Sequence, residues 1–270
     1  MSIRKLKYVC HAMLALAVFG LVVSMPAQAA KVINIANSVH NLSTSAPDIP
    51  GWGGNPYRST TISEVCVFCH TPHSGNIQGP LWNRANPGSG SFTMYESARA
   101  GSATTVVLNR AVNNESLLCM SCHDGTIATN EIINPGVDGP TVDPLTEIIT
   151  VSDGFDWTSP AIIGARIGAG MQDDGTLYAT TSGHLEDDHP ISMNMQVSID
   201  SAFGTEFKTI AQAETAGVRF FNTSWVECSS CHDPHINYDP TATPPGDPAY
   251  APFLVMPNTD SDLCYACHSK

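Results

Sequence analysis

The sequence predicts a mostly irregular, loop-rich fold, with short helices at four cysteine motifs and a few short strands. Its 270 residues include 21 Gly and 19 Pro, which interrupt regular helices and strands. The string Cys-x-x-Cys-His occurs four times, and the copies are Cys66–His70, Cys119–His123, Cys228–His232 and Cys264–His268. We therefore expect the fold to be organised around the groups that these four motifs bind.

Each motif is the attachment signature of a c-type haem. Two thiols one helical turn apart can both add to the vinyl groups of one porphyrin, and the adjacent His then binds the iron. The predicted haem-binding cysteines are Cys66, Cys69, Cys119, Cys122, Cys228, Cys231, Cys264 and Cys267. The predicted proximal iron ligands are His70, His123, His232 and His268. We expect four covalently attached haem c groups, stacked to form the core of a multihaem cytochrome c fold, because each haem is a large apolar body.

Paired cysteines also occur in disulfide frameworks, structural zinc sites and dithiol redox motifs. None of these three requires a His directly after the second Cys, whereas all four pairs here have one. Apart from Cys10, which lies in the N-terminal leader described next, every cysteine belongs to a pair. Haem attachment is therefore the preferred interpretation.

The N-terminus has the form of a secretory signal peptide. The stretch Arg4–Lys7 is basic, an apolar run follows over Val9–Val23, and Ala27–Ala29 matches a cleavage site. The apolar run is too short for a stable membrane span, so we predict no transmembrane segment. We expect a signal peptide over residues 1–29 and a secreted protein at the cell surface or outside the cell, with the periplasm as the alternative.

The predicted mature chain is strongly acidic. Removing the three basic residues of the leader from the 12 Lys and Arg leaves nine against 25 Asp and Glu, a formal charge of −16. Long-range electrostatics therefore disfavours nucleic acid and anionic membranes as partners. The sequence also contains no phosphate-binding loop and no catalytic triad. We predict that the protein is not an enzyme.

The chain contains an internal duplication. In each copy a His-x-(Leu/Ile)-Ser element precedes a Cys-x-x-Cys-His-x-Pro-His element, and a second cysteine motif follows after Leu. The first copy begins at His40 and the second at His189. This repeat predicts four segments: the signal peptide over 1–29, a first dihaem repeat over 30–126, an inter-repeat segment over 127–184 and a second dihaem repeat over 185–270.

Each copy supplies two histidines beyond the proximal ones. These candidate distal ligands are His40, His73, His189 and His235. Four haems need four sixth ligands, so the count predicts bis-histidine ligation at every iron. His73 and His235 lie three residues after a proximal His, so each must bind a different haem from that one. His184 is left over, and we expect it at the surface or at a haem propionate.

Local patterns predict few regular elements. Ser224–Glu227 has the form of a helix capping box before the third motif, and Lys208–Ala216 fits a short helix. The region 125–183 is rich in β-branched residues, Gly and Pro, which predicts short strands and turns. Met193, Met195 and Met256 are alternative thioether ligands, but four histidines are already present and we assign all three to core packing.

The motifs resemble those of secreted multihaem c-type cytochromes with doubled Cys-x-x-Cys-His motifs, found in metal-reducing bacteria. The chain is most similar to tetrahaem members that polymerise into extracellular conducting filaments, or cytochrome nanowires. The residues that carry this resemblance are Val39–Ser43, Cys66–His73, Leu118–Asp124, Asp188–Ser192, Cys228–His235 and Leu263–His268. The resemblance implies bis-histidine haems in a continuous stack of parallel and T-shaped pairs. It also implies that one His of each subunit binds a haem of the next, by position His73, with His40 as the alternative.

The sequence therefore predicts extracellular electron transfer by a subunit of a head-to-tail homopolymer. Its other expected partners are redox proteins or extracellular electron acceptors. The first alternative is a monomeric periplasmic tetrahaem shuttle whose distal histidines are all satisfied within one chain. A multihaem reductase is less favoured, because it needs an open iron and four distal histidines would close all four.

Overall fold

The computed structural model describes residues 31–48, 58–59, 62–75, 79, 81–84, 92–95, 111–123, 132–134, 184–185 and 188–269. Within these ranges the α-helices are α1 (Asn114–His123), α2 (Met195–Ile199), α3 (Ile210–Ala216), α4 (Cys228–Cys231) and α5 (Asp262–Cys267). The strands are β1 (Thr93–Met94), β2 (His184–Leu185), β3 (Met193–Asn194) and β4 (Trp225–Val226). The predicted signal peptide lies outside the described residues, as does the inter-repeat segment except for 132–134 and 184.

The strands are two residues long and form two separate pairs. Strand β1 runs parallel to β2, and β3 runs antiparallel to β4 with Met193 opposite Val226. Among the described helices, none has the length and apolarity needed to cross a membrane. Regular structure is therefore short and local, and the longer-range order of the chain depends on loops.

The N-terminal end of the described chain pairs with the segment that follows the third motif. Ile33 and Ile236 form an antiparallel bridge. The backbone N–H of Asn34 donates to the carbonyl of His235 at 2.9 Å, and the N–H of Asn237 donates to the carbonyl of Val32 at 2.9 Å. The start of the first repeat is thus attached to the second repeat, a few residues before His40.

Helix α3 begins and ends at local signals. Thr209 and Gln212 form a reciprocal capping box at its start, and Gly217 ends it with a φ of 118°. The left-handed conformation at Gly217 carries no Cβ penalty, which suits glycine at this position. The helix predicted over Lys208–Ala216 is confirmed to within two residues.

The capping box predicted at Ser224–Glu227 is wrong. Trp225 and Val226 form strand β4, and Glu227 is the N-cap of α4 instead, with its backbone N–H donating to Ser230 Oγ at 2.9 Å. An aromatic and a β-branched residue favour an extended strand where a partner strand lies beside them. Here β3 is that partner, so the helix begins three residues later than predicted.

The apolar side chains form several small clusters in the described part of the chain. The buried members of the clusters are Phe92, Met94, Val112, Leu117, Met120 and Leu185; Ile62, Val67, Phe68 and Ile132; Met193, Met195 and Val226; and Ala213, Val218 and Ala266. Met193 and Met195 lie in the core, in agreement with their predicted packing role.

A buried carboxylate joins three segments of the chain. Glu227 is 1% exposed, and its carboxylate accepts hydrogen bonds from Asn113 Nδ2 at 2.6 Å, Ser116 Oγ at 2.5 Å and Ser192 Oγ at 2.9 Å. Ser116 Oγ also accepts from the backbone N–H of Cys228 at 3.1 Å. Glu227 thus holds the second motif, the third motif and the element that contains His189 in one hydrogen-bonded unit.

Glu227→Ala is expected to lower the free energy of unfolding by about 3 kcal/mol, because three buried donors lose their acceptor. Guanidinium unfolding followed by far-UV circular dichroism measures the change. Glu214→Ala, at an exposed position of α3, is the control and should leave the midpoint unchanged. An unchanged midpoint for Glu227→Ala would show that this carboxylate does not hold the segments together.

Candidate haem centres

The four cysteine motifs share one local backbone geometry. The second motif lies at the end of α1, the third forms α4, the fourth lies in α5, and the first is a turn. In three motifs the His N–H donates to the carbonyl of the first Cys: His70 to Cys66 at 2.7 Å, His232 to Cys228 at 3.0 Å and His268 to Cys264 at 2.9 Å. One helical turn therefore separates the two thiols of a motif, as attachment to the two vinyl groups of one porphyrin requires.

The eight motif cysteines are all free thiols, and no disulfide joins them. Burial raises the pKa of Cys69 to about 12, with a smaller contribution from Cys122, and burial raises the pKa of Cys231 to about 11. These thiols are therefore neutral at ordinary pH.

The cysteines of successive motifs lie close to one another. Cys69 of the first motif is near Cys122 of the second, and Cys231 of the third is near Cys267 of the fourth. The thiol of Cys119 donates a hydrogen bond to the sulfur of Cys228, which raises the pKa of Cys119 and lowers that of Cys228. The four attachment points therefore follow one another through the fold in the order of the sequence.

The histidine rings form pairs with a characteristic separation. The ring centroids lie 6.1 Å apart for His40 and His123, 6.4 Å apart for His70 and His235, and 6.4 Å apart for His189 and His268. Each pair joins one predicted proximal ligand to one predicted distal ligand. A metal ion that binds two imidazoles on opposite sides through bonds of about 2 Å holds their centroids roughly 6 Å apart. All three pairs therefore have the separation that an iron ion between the rings requires.

His73 and His232 do not belong to such a pair among the described histidine rings, and both are exposed. His73 Nδ1 lies 3.4 Å from Ser74 Oγ, and His232 Nδ1 donates to the carbonyl of Pro252 at 3.0 Å. One distal ligand of the first repeat and one proximal ligand of the second repeat are thus left over. The backbone of His184 lies in β2, and its side chain is outside the described part of the structure.

The environment of His40 suits a metal ligand. The Phe253 ring lies 4.4 Å from the His40 ring, and burial, with a smaller contribution from His123, lowers the pKa of His40 to about 3. Its imidazole is therefore neutral, which is the form that binds a metal. Its Nδ1 is buried with no hydrogen-bond partner. A His that binds iron through Nε2 would keep its proton on Nδ1, and that N–H has no acceptor here.

A haem fits the residue types and the histidine pairing at these centres. Porphyrin supplies four nitrogen ligands to its iron, so two imidazoles complete the coordination. The paired histidines and adjacent thiol pairs provide what this group needs from the protein.

Two charged residues at the candidate centres were missed at the sequence level. Asp233 is buried beside His235, and Arg84 is fully buried with Nε and Nη2 each 3.4 Å from the carbonyl of Ser121, inside the second motif. The signal for Asp233 was present, since the third motif continues as His-Asp-Pro-His where the first has His-Thr-Pro-His. Arg84 carries no such signal, because a lone Arg in a polar loop normally lies at the surface.

No protein-family model matches this chain, and no curated protein matches it. The functional assignment therefore depends on the residues themselves and on the geometry described above.

His189→Ala is expected to leave the iron at His268 with one protein ligand, because the rings of these residues face each other at 6.4 Å. The reduced variant should bind one more carbon monoxide per chain than the unmodified protein, measured by optical titration. Gln196→Ala, at an exposed position of α2, serves as the control and should bind no more than the unmodified protein. Equal binding by His189→Ala and the unmodified protein would remove His189 from the ligand set.

Proposed function

We propose that this chain is a tetrahaem c-type cytochrome that transfers electrons along a row of covalently bound haems, as the subunit of a head-to-tail extracellular filament. The observation that carries the proposal is the set of three proximal–distal histidine pairs with centroid separations of 6.1, 6.4 and 6.4 Å. A bound haem supplies an iron ion that is oxidised and reduced by one electron.

The protein's own residues would attach and orient the proposed haems and would fill the remaining ligand positions of their irons. The thiol pairs would hold each porphyrin through two bonds, and the paired histidines would bind its iron. Two imidazoles on one iron leave no position for a substrate, which favours electron transfer over catalysis. Burial and hydrogen bonding of the histidines then set the reduction potential of each centre.

The succession of cysteine contacts supports a continuous path. The first motif approaches the second through Cys69, the second approaches the third through Cys119, and the third approaches the fourth through Cys231. Electrons that enter at one end of this series would pass each attachment point in turn. No step across the protein requires a centre outside the series.

The pairing of distal histidines with motifs follows a pattern that predicts a contact between two copies of the chain. His40 and His189 each pair with the second motif of their own repeat, whereas His235 of the second repeat reaches the first motif of the first repeat. Applied to the first repeat, the same pattern directs His73 to the first motif of another copy's second repeat. That motif contains His232, which is exposed like His73. Such a head-to-tail contact is heterologous and need not close, so it generates a filament.

The alternative is a monomeric periplasmic shuttle in which one chain closes all of its own irons. In that case the iron at His232 needs a ligand from the same chain, and His73 and His184 are the histidines that remain for it. The two proposals therefore differ in whether the sixth ligand of this centre comes from a neighbouring copy or from the same chain.

His73→Ala is expected to abolish filaments while the chain keeps four haems, since His73 takes no part in cysteine attachment. The resulting single chains should carry one open iron, at His232, and bind one carbon monoxide each. Cryo-electron microscopy of the secreted protein, mass measurement and optical titration together test these results.

His184→Ala is the matched control, and it should still form filaments whose irons are closed to carbon monoxide. Filaments that persist in His73→Ala would contradict the proposed contact. An unmodified protein that stays monomeric at every concentration, with an open iron in only one of the two variants, would establish the shuttle. A colourless protein with the mass of the bare polypeptide would rule out both.

A further inference from the structure

The three distal histidines that face a partner ring differ in what their second ring nitrogen contacts. His235 Nδ1 donates to Asp233 Oδ1 at 2.9 Å, and His189 Nδ1 donates to the carbonyl of Pro190 at 3.2 Å. His40 Nδ1 is buried and has no hydrogen-bond partner. A carboxylate acceptor at this nitrogen makes a ligating imidazole more basic, and a carbonyl does so to a smaller degree.

The carboxylate of Asp233 is held in position by contacts that divide between its two oxygens. Oδ1 accepts from His235 Nδ1 and also from the backbone N–H of His235, at 3.1 Å. Oδ2 accepts from Arg219 Nη2 at 3.0 Å. The backbone N–H of Asp233 donates to the carbonyl of Phe253 at 2.7 Å. Arg219 therefore orients the carboxylate without occupying the oxygen that faces the histidine.

We infer that Asp233 is a positioning residue that, through His235, lowers the reduction potential of the haem bound between His70 and His235. This inference rests on the proposed haem ligation. A more basic axial imidazole donates more charge to the iron and stabilises its oxidised form over its reduced form. His40, without an acceptor at Nδ1, provides no such stabilisation to the haem at His123. The two haems of the first repeat, at His70 and at His123, therefore differ in reduction potential.

The first repeat carries no carboxylate at the corresponding position. Thr71 occupies this position, is 3% exposed, and donates from Oγ1 to the carbonyl of His73 at 2.9 Å. The corresponding distal ligand, His73, has Ser74 Oγ near its Nδ1 instead of a carboxylate. The backbone differs as well, since the N–H of Ile236 donates to the carbonyl of Asp233 at 3.1 Å, whereas Ser74 has a φ of 57°. Of the two segments, the second therefore places a carboxylate against its distal histidine.

Asp233→Asn is the decisive variant, because its amide oxygen can still accept from the backbone N–H of His235 while the negative charge is lost. At a fixed applied potential, the ratio of reduced to oxidised iron at one haem should rise about tenfold, a shift of about 59 mV for one electron. Asp233→Thr, which installs the residue of the first repeat, should shift the same haem in the same direction.

Electron paramagnetic resonance during a potentiometric titration identifies the haem that moves. The ring planes of His70 and His235 are 16° apart, whereas the other two pairs are at 61° and 80°. Near-parallel axial imidazoles give a ferric spectrum distinct from that of nearly perpendicular ones. The signal of the near-parallel pair is therefore the one expected to titrate at a higher potential in Asp233→Asn.

Two controls separate this effect from a general change of charge. Asp200→Asn removes the same charge from an exposed position and should leave every potential unchanged. Thr71→Asp gives His73 a neighbouring carboxylate, and it should lower the potential of the haem at His232 in filaments but not in single chains.

Four low-spin haems with unshifted potentials in Asp233→Asn would overturn the inference and leave the proposed function intact. Loss of low-spin ligation in both Asp233→Asn and Asp233→Thr would also overturn it, since the carboxylate would then be needed only to place the ligand. An unmodified chain that binds no haem would instead overturn the proposed function itself. That result is measured on the unmodified protein and does not depend on any variant.

Discussion

The pairing of histidine rings from distant parts of the chain is the constraint on which the rest of this structure depends. The ring centroids of the three pairs lie 6.1, 6.4 and 6.4 Å apart. In the proposed function one iron stands between the two rings of each pair. The cysteine motifs provide only one side of each centre. The loops must therefore cross between repeats, as they do where Ile33 pairs with Ile236 just before His40.

Buried hydrogen bonds connect segments of this chain that an apolar core would connect in other folds. Glu227 gathers two motifs and the His189 element through three side-chain donors, and the buried Asn83 joins the carbonyls of Val67 and Asn134 at 2.6 and 2.7 Å. Such bonds fix positions more sharply than apolar contacts do, because they are directional. Around proposed prosthetic groups of fixed shape, directional contacts keep each ligand at its required distance.

Duplication followed by local divergence explains why the proposed centres need not be equivalent. Both repeats carry the sequence His-x-Pro-His, but one has Thr71 and the other Asp233 at its second position. A series of centres with unequal potentials passes electrons through alternating favourable and unfavourable steps. In a filament the same pattern would repeat with every subunit, so one residue per chain would influence transfer along the whole length.

The sequence by itself predicts the haem attachment points and the proximal ligands, because this prediction needs only residues within one helical turn of each other. It also identified helix α3, whose capping box and terminal glycine are local signals. Tertiary structure alone decided which predicted distal histidine lies near which motif, and it moved the start of α4 to Cys228 by pairing β4 with β3. The ion pair between Asp233 and Arg219 was likewise decided by the tertiary structure. Contacts of this kind depend on how distant segments fold back, and spacing along the chain carries no information about that.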